Sequence, residues 1–183
     1  RMAYFINIGL LLILFILYQY EKINKKQFVI IATTQWILLS SLRHMSVGAD
    51  TDSYWYGFIN LSRFSISDII IRFQDYSYYS GEFGKDPGYL LLVKLFQLIS
   101  NDYRIFMVFV ALIFTIPLGI WIYRNSEDVF ISFIIYSCLF YSFYSITGYR
   151  QSIATALVVF IGYKFIKEKR LLPFTILSLI AFS

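Results

Sequence analysis

Between residues 129 and 163 the chain carries a single charge, Arg150, in 35 residues. An arginine within membrane-length apolar sequence is expensive, on the order of 2.5–3.5 kcal/mol at a helix centre on insertion scales. Such a residue is either a functional group held against that cost or a group at the membrane edge, in water. Gly148 interrupts the apolar run just before it, which favours the edge. The same economy governs the rest of the chain. Residues 2–20 are uncharged, long enough to cross an apolar core of about 30 Å, and further uncharged runs cover 27–42, 105–123, 129–149 and 151–163.

Only 15% of residues are charged, 58% are hydrophobic, and the mean hydropathy is +0.65. Soluble domains carry nearer a quarter charged residues, so an integral membrane protein is expected. The fold class expected is all-α: a polytopic transmembrane helix bundle with a long extracytoplasmic loop carrying short interfacial helices. It forms one membrane domain over 1–183, with spans near 2–20, 27–42, 105–123, 129–148, 150–166 and 171–183. The first run has neither a basic n-region nor a small-residue cleavage site, so a retained helix is expected rather than a signal peptide. Arg1 before Met2 has the look of a cloning remnant. The last run stops without a polar flank, which suggests a chain cut in mid-helix. Net charge is +5, but the basic residues gather at span ends, where lipid head groups and topology account for them, so no nucleic-acid partner is expected. The lone Cys138 excludes an internal disulfide.

Two short connections, 21–26 and 167–170, are lysine-rich and are both expected on the cytoplasmic side. That holds if residues 88–100, with Lys94 at their middle, lie as an interfacial or re-entrant helix. The loop 43–87 and the Tyr149-Arg150 junction then share the outer face. This loop carries four basic and six acidic residues and the only histidine, His44. Loops of that length are functional or disordered, and its many aromatics argue against disorder. A short helix over 67–73, capped by Ser67, is expected within it.

Three stretches concentrate the polar chemistry. The first runs from Arg43 to Tyr54, with a turn at Gly48, the acceptors Asp50 and Asp52, and the hydroxyl of Thr51. The second is Lys85-Asp86-Pro87-Gly88-Tyr89, where Asp86 can cap a helix starting at Pro87. The third is Thr147-Gly148-Tyr149-Arg150-Gln151-Ser152, whose polar residues fall on one narrow helical face. Each has a plainer alternative: Arg43 as a membrane-edge anchor, Asp86 as a cap alone, Asp52 as a solvated carboxylate, the aromatics as an interface belt. No phosphate-binding glycine loop or Cys/His metal cluster is present, and Asp50 with Asp52 makes an incomplete ligand set, so no metal is expected.

Taken together, these stretches resemble the EpsG family of membrane polysaccharide polymerases, relatives of the O-antigen polymerases. The family pattern reads as an arginine followed by Gly-x-Asp-Thr-x-x-Tyr-x-x-x-Phe, seen here as Arg43 and then Gly48 to Phe58. Next comes Glu-Pro-Gly-Tyr, here Asp86-Pro87-Gly88-Tyr89 with aspartate for glutamate. Last is Arg-Gln-x-Ile-Ala, here Arg150-Gln151-Ser152-Ile153-Ala154. A later histidine-serine motif of the family is not among these 183 residues.

The resemblance implies a cofactor-independent enzyme of the bacterial inner membrane. It joins polyprenyl-diphosphate-linked oligosaccharide repeat units on the outer face, alongside membrane lipids and other export or chain-length proteins. It implies Asp50, Arg150 and Arg43 as catalytic residues. Gln151, Tyr54, Thr51, Asp86 and Tyr89 are the expected substrate-binding residues. Two other readings stand beside it, a flippase or transporter of the lipid-linked sugar and a non-catalytic component of an export complex. Transporters place polar groups at mid-membrane and show repeated halves; here the charges sit at membrane edges.

Overall fold

Capping chemistry sets most helix starts. The computed structural model describes residues 2–44, 47–48, 50–68, 87–139, 142 and 146–182, and every described element is a helix. Helix α1 is Met2–Gln19 and α2 is Lys25–Ser41. Asn24 and Gln27 form a reciprocal capping box at the start of α2, each side chain bonding the other's backbone N–H. Helix α3 is Thr51–Ser62 and α4 is Pro87–Gln97. The 23-residue α5, Tyr103–Asn125, is capped by Asp102, and α6, Val129–Cys138, by Asp128. Helix α7, Tyr149–Thr155, continues through a π-helical stretch, Ala156–Ile161, into α8, Gly162–Lys167; α9 is Leu171–Phe182.

Among the described residues two helices, α1 and α5, are long and apolar enough to cross a membrane. Shorter apolar helices cover Gly88–Gln97, Val129–Cys138 and Leu171–Ala181. The outward faces of the long helices are apolar too: Phe5, Ile13 and Ile16 of α1, and Ile105, Ile116 and Ile120 of α5, are all exposed. A continuous apolar exterior of this kind is a cost in water and a match for lipid. At 11 residues and 1.5 Å per residue, α4 is about 16 Å long, roughly half an apolar core.

Two apolar cores divide the molecule. One packs α1, α2, α5 and α6 around Leu11, Phe28, Trp36, Leu118 and Phe133. Its tightest joint lies between α2 and α5, where a Cβ on Gly119 would collide with Thr33 Oγ1; small residues let membrane helices approach this closely. The second core packs α3, α4, the first turns of α5, and Tyr149 and Ile153 of α7, around Phe58, Phe96 and Phe106. It forms the floor beneath the candidate site.

Side chains at the bundle's two ends fix which connections are neighbours. Lys25 Nζ donates to Ser126 O at 2.9 Å and lies 5.6 Å from the centre of the Tyr123 ring, so the 21–26 connection and the end of α5 meet. Tyr163 and Trp121 meet edge to face at 6.1 Å, bringing the start of α8 to the same region. At the other end Arg43 donates to Ile146 O at 2.6 Å. The 43–62 segment and the start of α7 therefore share one end of the bundle, and the 21–26 connection lies at the other.

The helical turn after α3 is capped by Ser65 rather than Ser67: Ser65 Oγ accepts from the Asp68 backbone N–H, and Asp68 Oδ2 accepts from the Ser65 N–H at 2.8 Å. Asp68 answers Ser65 three residues away, a reciprocity that Ser67 cannot have with it. The expected continuation of that helix to 73, the rest of the loop to Asp86, and parts of the expected 129–148 span lie outside the described residues.

Candidate functional site

The loop into α3 is shaped by Gly48 and Thr51. Gly48 has φ +109°, a conformation L side chains rarely adopt. A Cβ there would also lie 2.6 Å from Thr51 Oγ1 and 3.1 Å from Thr147 Cγ2, so glycine permits the loop to lie against the approach to α7. Thr51 is fully buried, and its hydroxyl donates to Val47 O at 2.8 Å. Tyr103, on α5, has one hydroxyl proton, shared between Thr51 O at 3.3 Å and the Tyr149 phenol oxygen at 3.4 Å. Thr51 thus ties the loop down, and its side chain is not on the wall of the cavity described below.

Asp50 follows directly, at the N-cap position of α3. Aspartate there commonly bonds a backbone N–H of the first turn. The Asp50 side chain makes no such capping bond and is exposed. It lines a cavity of about 470 Å³ whose other walls include Tyr54, Tyr89, Gly148, Arg150 and Gln151. The remaining lining is largely apolar: Leu92, Ile153, Ala154, Leu157 and, from α9, Ile180 and Ala181. One cavity therefore combines a carboxylate, a guanidinium, two phenols and a carboxamide with aliphatic side chains.

Arg43 is placed differently. Its guanidinium donates to Ser40 O at 2.7 Å, to Ile146 O at 2.6 Å and to the Tyr149 hydroxyl at 2.7 Å, and it is not a wall of the cavity. Ser40 O belongs to the last turn of α2, where carbonyls lack helical partners and the helix dipole favours a cation. Asp86 lies outside the described residues.

Several contributors escape the residue-by-residue reading of the sequence. Tyr149 stacks on Tyr54, centroids 4.7 Å apart and planes 15° from parallel, and receives Tyr103 Oη–H at 3.4 Å. Its place beside Arg150 in the third stretch was the available signal. Lys94 and Gln97 are buried and reach from α4 to α3: Lys94 Nζ donates to Leu61 O at 3.2 Å and Gln97 Nε2 to Phe58 O at 2.7 Å. They satisfy carbonyls at the C-terminal end of α3 and fix the helix bearing Tyr89 beside the helix bearing Tyr54. The rings of those two tyrosines meet edge to face at 5.7 Å. Among the described residues no group of three or more His, Cys, Asp or Glu side chains is arranged to hold a metal.

An all-helical chain with an apolar exterior and an amphipathic cavity at one end of the bundle belongs to the class of helical membrane proteins. The model of the EpsG family matches residues 26–183, and the chain belongs to that family. Membership places it among membrane proteins of polysaccharide biosynthesis. No curated protein and no solved structure matches the chain.

Proposed function

We propose that the protein is a multi-pass enzyme of the bacterial inner membrane that polymerises polyprenyl-diphosphate-linked oligosaccharide repeat units at the extracytoplasmic face. One observation carries this reading: Asp50 and Arg150, distant in the chain, line a single cavity together with aliphatic side chains. A glycan joined to a polyprenyl chain through a diphosphate combines the same two chemistries.

In this reading a sugar hydroxyl of one repeat unit attacks the anomeric carbon of another. The bond from that carbon to the diphosphate oxygen breaks, and the polyprenyl diphosphate departs with the electron pair. Asp50 takes the hydroxyl proton, the role a carboxylate fills when placed within reach of the attacking group. Arg150 balances the charge that grows on the leaving diphosphate; a guanidinium suits this because its planar fork contacts two phosphate oxygens at once. Tyr54, Tyr89 and Gln151 orient the sugars. The aliphatic wall of Leu92, Ile153, Leu157 and Ile180 receives the first part of the lipid. Arg43 and Thr51 act on the framework rather than the substrate.

The test is reconstitution of the full chain in liposomes with a polyprenyl-diphosphate-linked repeat unit. A ladder of longer glycans with matching release of polyprenyl diphosphate is expected. Movement of the donor between leaflets with no ladder would replace this reading with transport.

A further inference from the structure

Four side chains from three parts of the chain, Arg43, Tyr54 and the adjacent pair Tyr149 and Arg150, stand in series. Arg43 lies with its Cζ 5.4 Å from the centre of the Tyr149 ring, Tyr149 stacks on Tyr54 at 4.7 Å, and Arg150 Cζ lies 5.8 Å from the centre of the Tyr54 ring. We propose that Arg43 is a positioning residue that sets the pose of Arg150 through this pair of tyrosines, an inference that rests on the reading of the cavity as a diphosphate site.

Each link restrains the next. Arg43 is held by two backbone carbonyls, Ser40 O at the end of α2 and Ile146 O ahead of α7, so its own position is fixed by main chain. Its third bond and the Tyr103 hydroxyl both converge on the Tyr149 phenol oxygen and fix where that ring lies. Tyr149 is buried, at 1% exposure, so its plane cannot turn without disturbing Phe106 and Ile153 in the core below. The near-parallel stack passes that plane to Tyr54, which stands on α3 at the cavity wall. Arg150, exposed on a long side chain, then has an aromatic face to rest against. Cations over aromatic faces gain about 0.5–1 kcal/mol at exposed sites, and arginine otherwise retains roughly 2 kcal/mol of rotamer freedom to lose on binding. Pre-orienting the guanidinium therefore shows as affinity for the anion, although Arg43 never touches it.

A double-mutant cycle on pyrophosphate affinity tests this, measured by calorimetry on the full chain in nanodiscs. Arg150→Gln should weaken binding about thirtyfold, the loss of a bidentate charge-assisted contact, and Arg43→Met about fivefold. The double variant should bind no more weakly than Arg150→Gln alone. Tyr149→Phe, which removes one oxygen and leaves the ring, should cost about threefold and be equally silent beside Arg150→Gln. Losses that add in full would mean that Arg43 meets the anion itself, and an unchanged affinity in Arg43→Met would end the proposal.

A second readout needs no ligand. In arginine-labelled protein, the Arg150 Nε–H resonance, identified by its disappearance in Arg150→Gln, carries the ring-current shift of Tyr54. It should move toward the value of a solvated arginine in Arg43→Met, and a resonance that stays in place overturns the positioning role. If wild-type protein fails to bind pyrophosphate, the diphosphate reading falls, and this resonance alone decides the proposal.

Discussion

Tyr54 and Tyr149 lie face to face across the joint between α3 and α7, near parallel at 4.7 Å. The stack joins two segments nearly a hundred residues apart and places Asp50, four residues before Tyr54, on the same cavity as Arg150, one residue after Tyr149. The first prediction follows from it. Tyr54→Leu removes both the stacking partner and the face under Arg150, each worth roughly 0.5–1.5 kcal/mol, so polymer formation should fall about tenfold. Tyr54→Phe retains the ring and should stay within about threefold of wild type. Equal losses in the two variants, read from polymer yield in reconstituted membranes, would show that the hydroxyl and not the ring matters.

Asp50→Asn removes the proposed proton acceptor while preserving shape. Chain growth should drop by roughly 10²–10⁴-fold, the usual worth of a general base. Single lipid-linked units should accumulate on the outer face of cells. Their accumulation on the inner face would indicate that transfer across the membrane is the step lost.

Arg150→Lys preserves the charge and removes the fork. Membrane insertion and protein level should be unchanged, and polymer should fall about tenfold or more, because an ammonium makes a point contact where the guanidinium makes two. Polymer of normal length and amount from this variant would reduce Arg150 to a membrane-edge anchor.

Gly48, in the loop before α3, and Gly57, within that helix, should behave oppositely. Gly48→Ala places a Cβ against Thr51 and Thr147 at φ +109° and should destabilise the protein by about 1–3 kcal/mol. At Gly57, within α3, a Cβ meets nothing within 4 Å, and alanine should stabilise by about 0.5–1 kcal/mol. Thermal unfolding of the two variants in detergent checks both signs. A Gly48→Ala protein as stable as wild type would show that the loop is free to move off Thr147.

Orientation is tested at Ser62, the exposed end of α3. With Cys138, itself exposed, replaced by serine, a cysteine at 62 should react with an impermeant thiol reagent in intact cells. Reaction only after the membrane is opened would place this end of the bundle in the cytoplasm.

The long apolar runs were the most readable from residues alone, and they announce α1 and α5. Caps were less so: Asn24, Asp102 and Asp128 were not singled out, and Ser65 takes the part expected of Ser67, because a cap depends on which N–H groups its side chain meets. The cavity was also less readable. Asp50 and Arg150 stand out by type and position, but nothing in their spacing says that one wall of the cavity comes from Ile180 and Ala181 of α9. Lys94 reads as an anomaly in an apolar stretch because its partner, Leu61 O, is a backbone atom on another helix. The same holds for Arg43, whose three acceptors are two carbonyls and a phenol, and for Thr51, whose hydroxyl turns back to its own loop. Tertiary acceptors of this kind leave no periodic mark in a sequence.

The π-helical stretch Ala156–Ile161 begins where the cavity lining of α7 ends and contributes Leu157 to it. A π turn accommodates about one residue more than an α turn, and such bulges occur often at functional sites. The angular offset between Arg150 and the far half of the helix, where Gly162 meets Phe174 of α9, therefore depends on the length of this stretch. Deleting a single aliphatic residue there would relax the π stretch to an ordinary α turn and leave Arg150 and Gly162 close to their present faces. The same one-codon loss from a regular α-helical segment would be passed on as a rotation of about 100°, so this stretch is where the helix can absorb a length change without re-aiming the guanidinium.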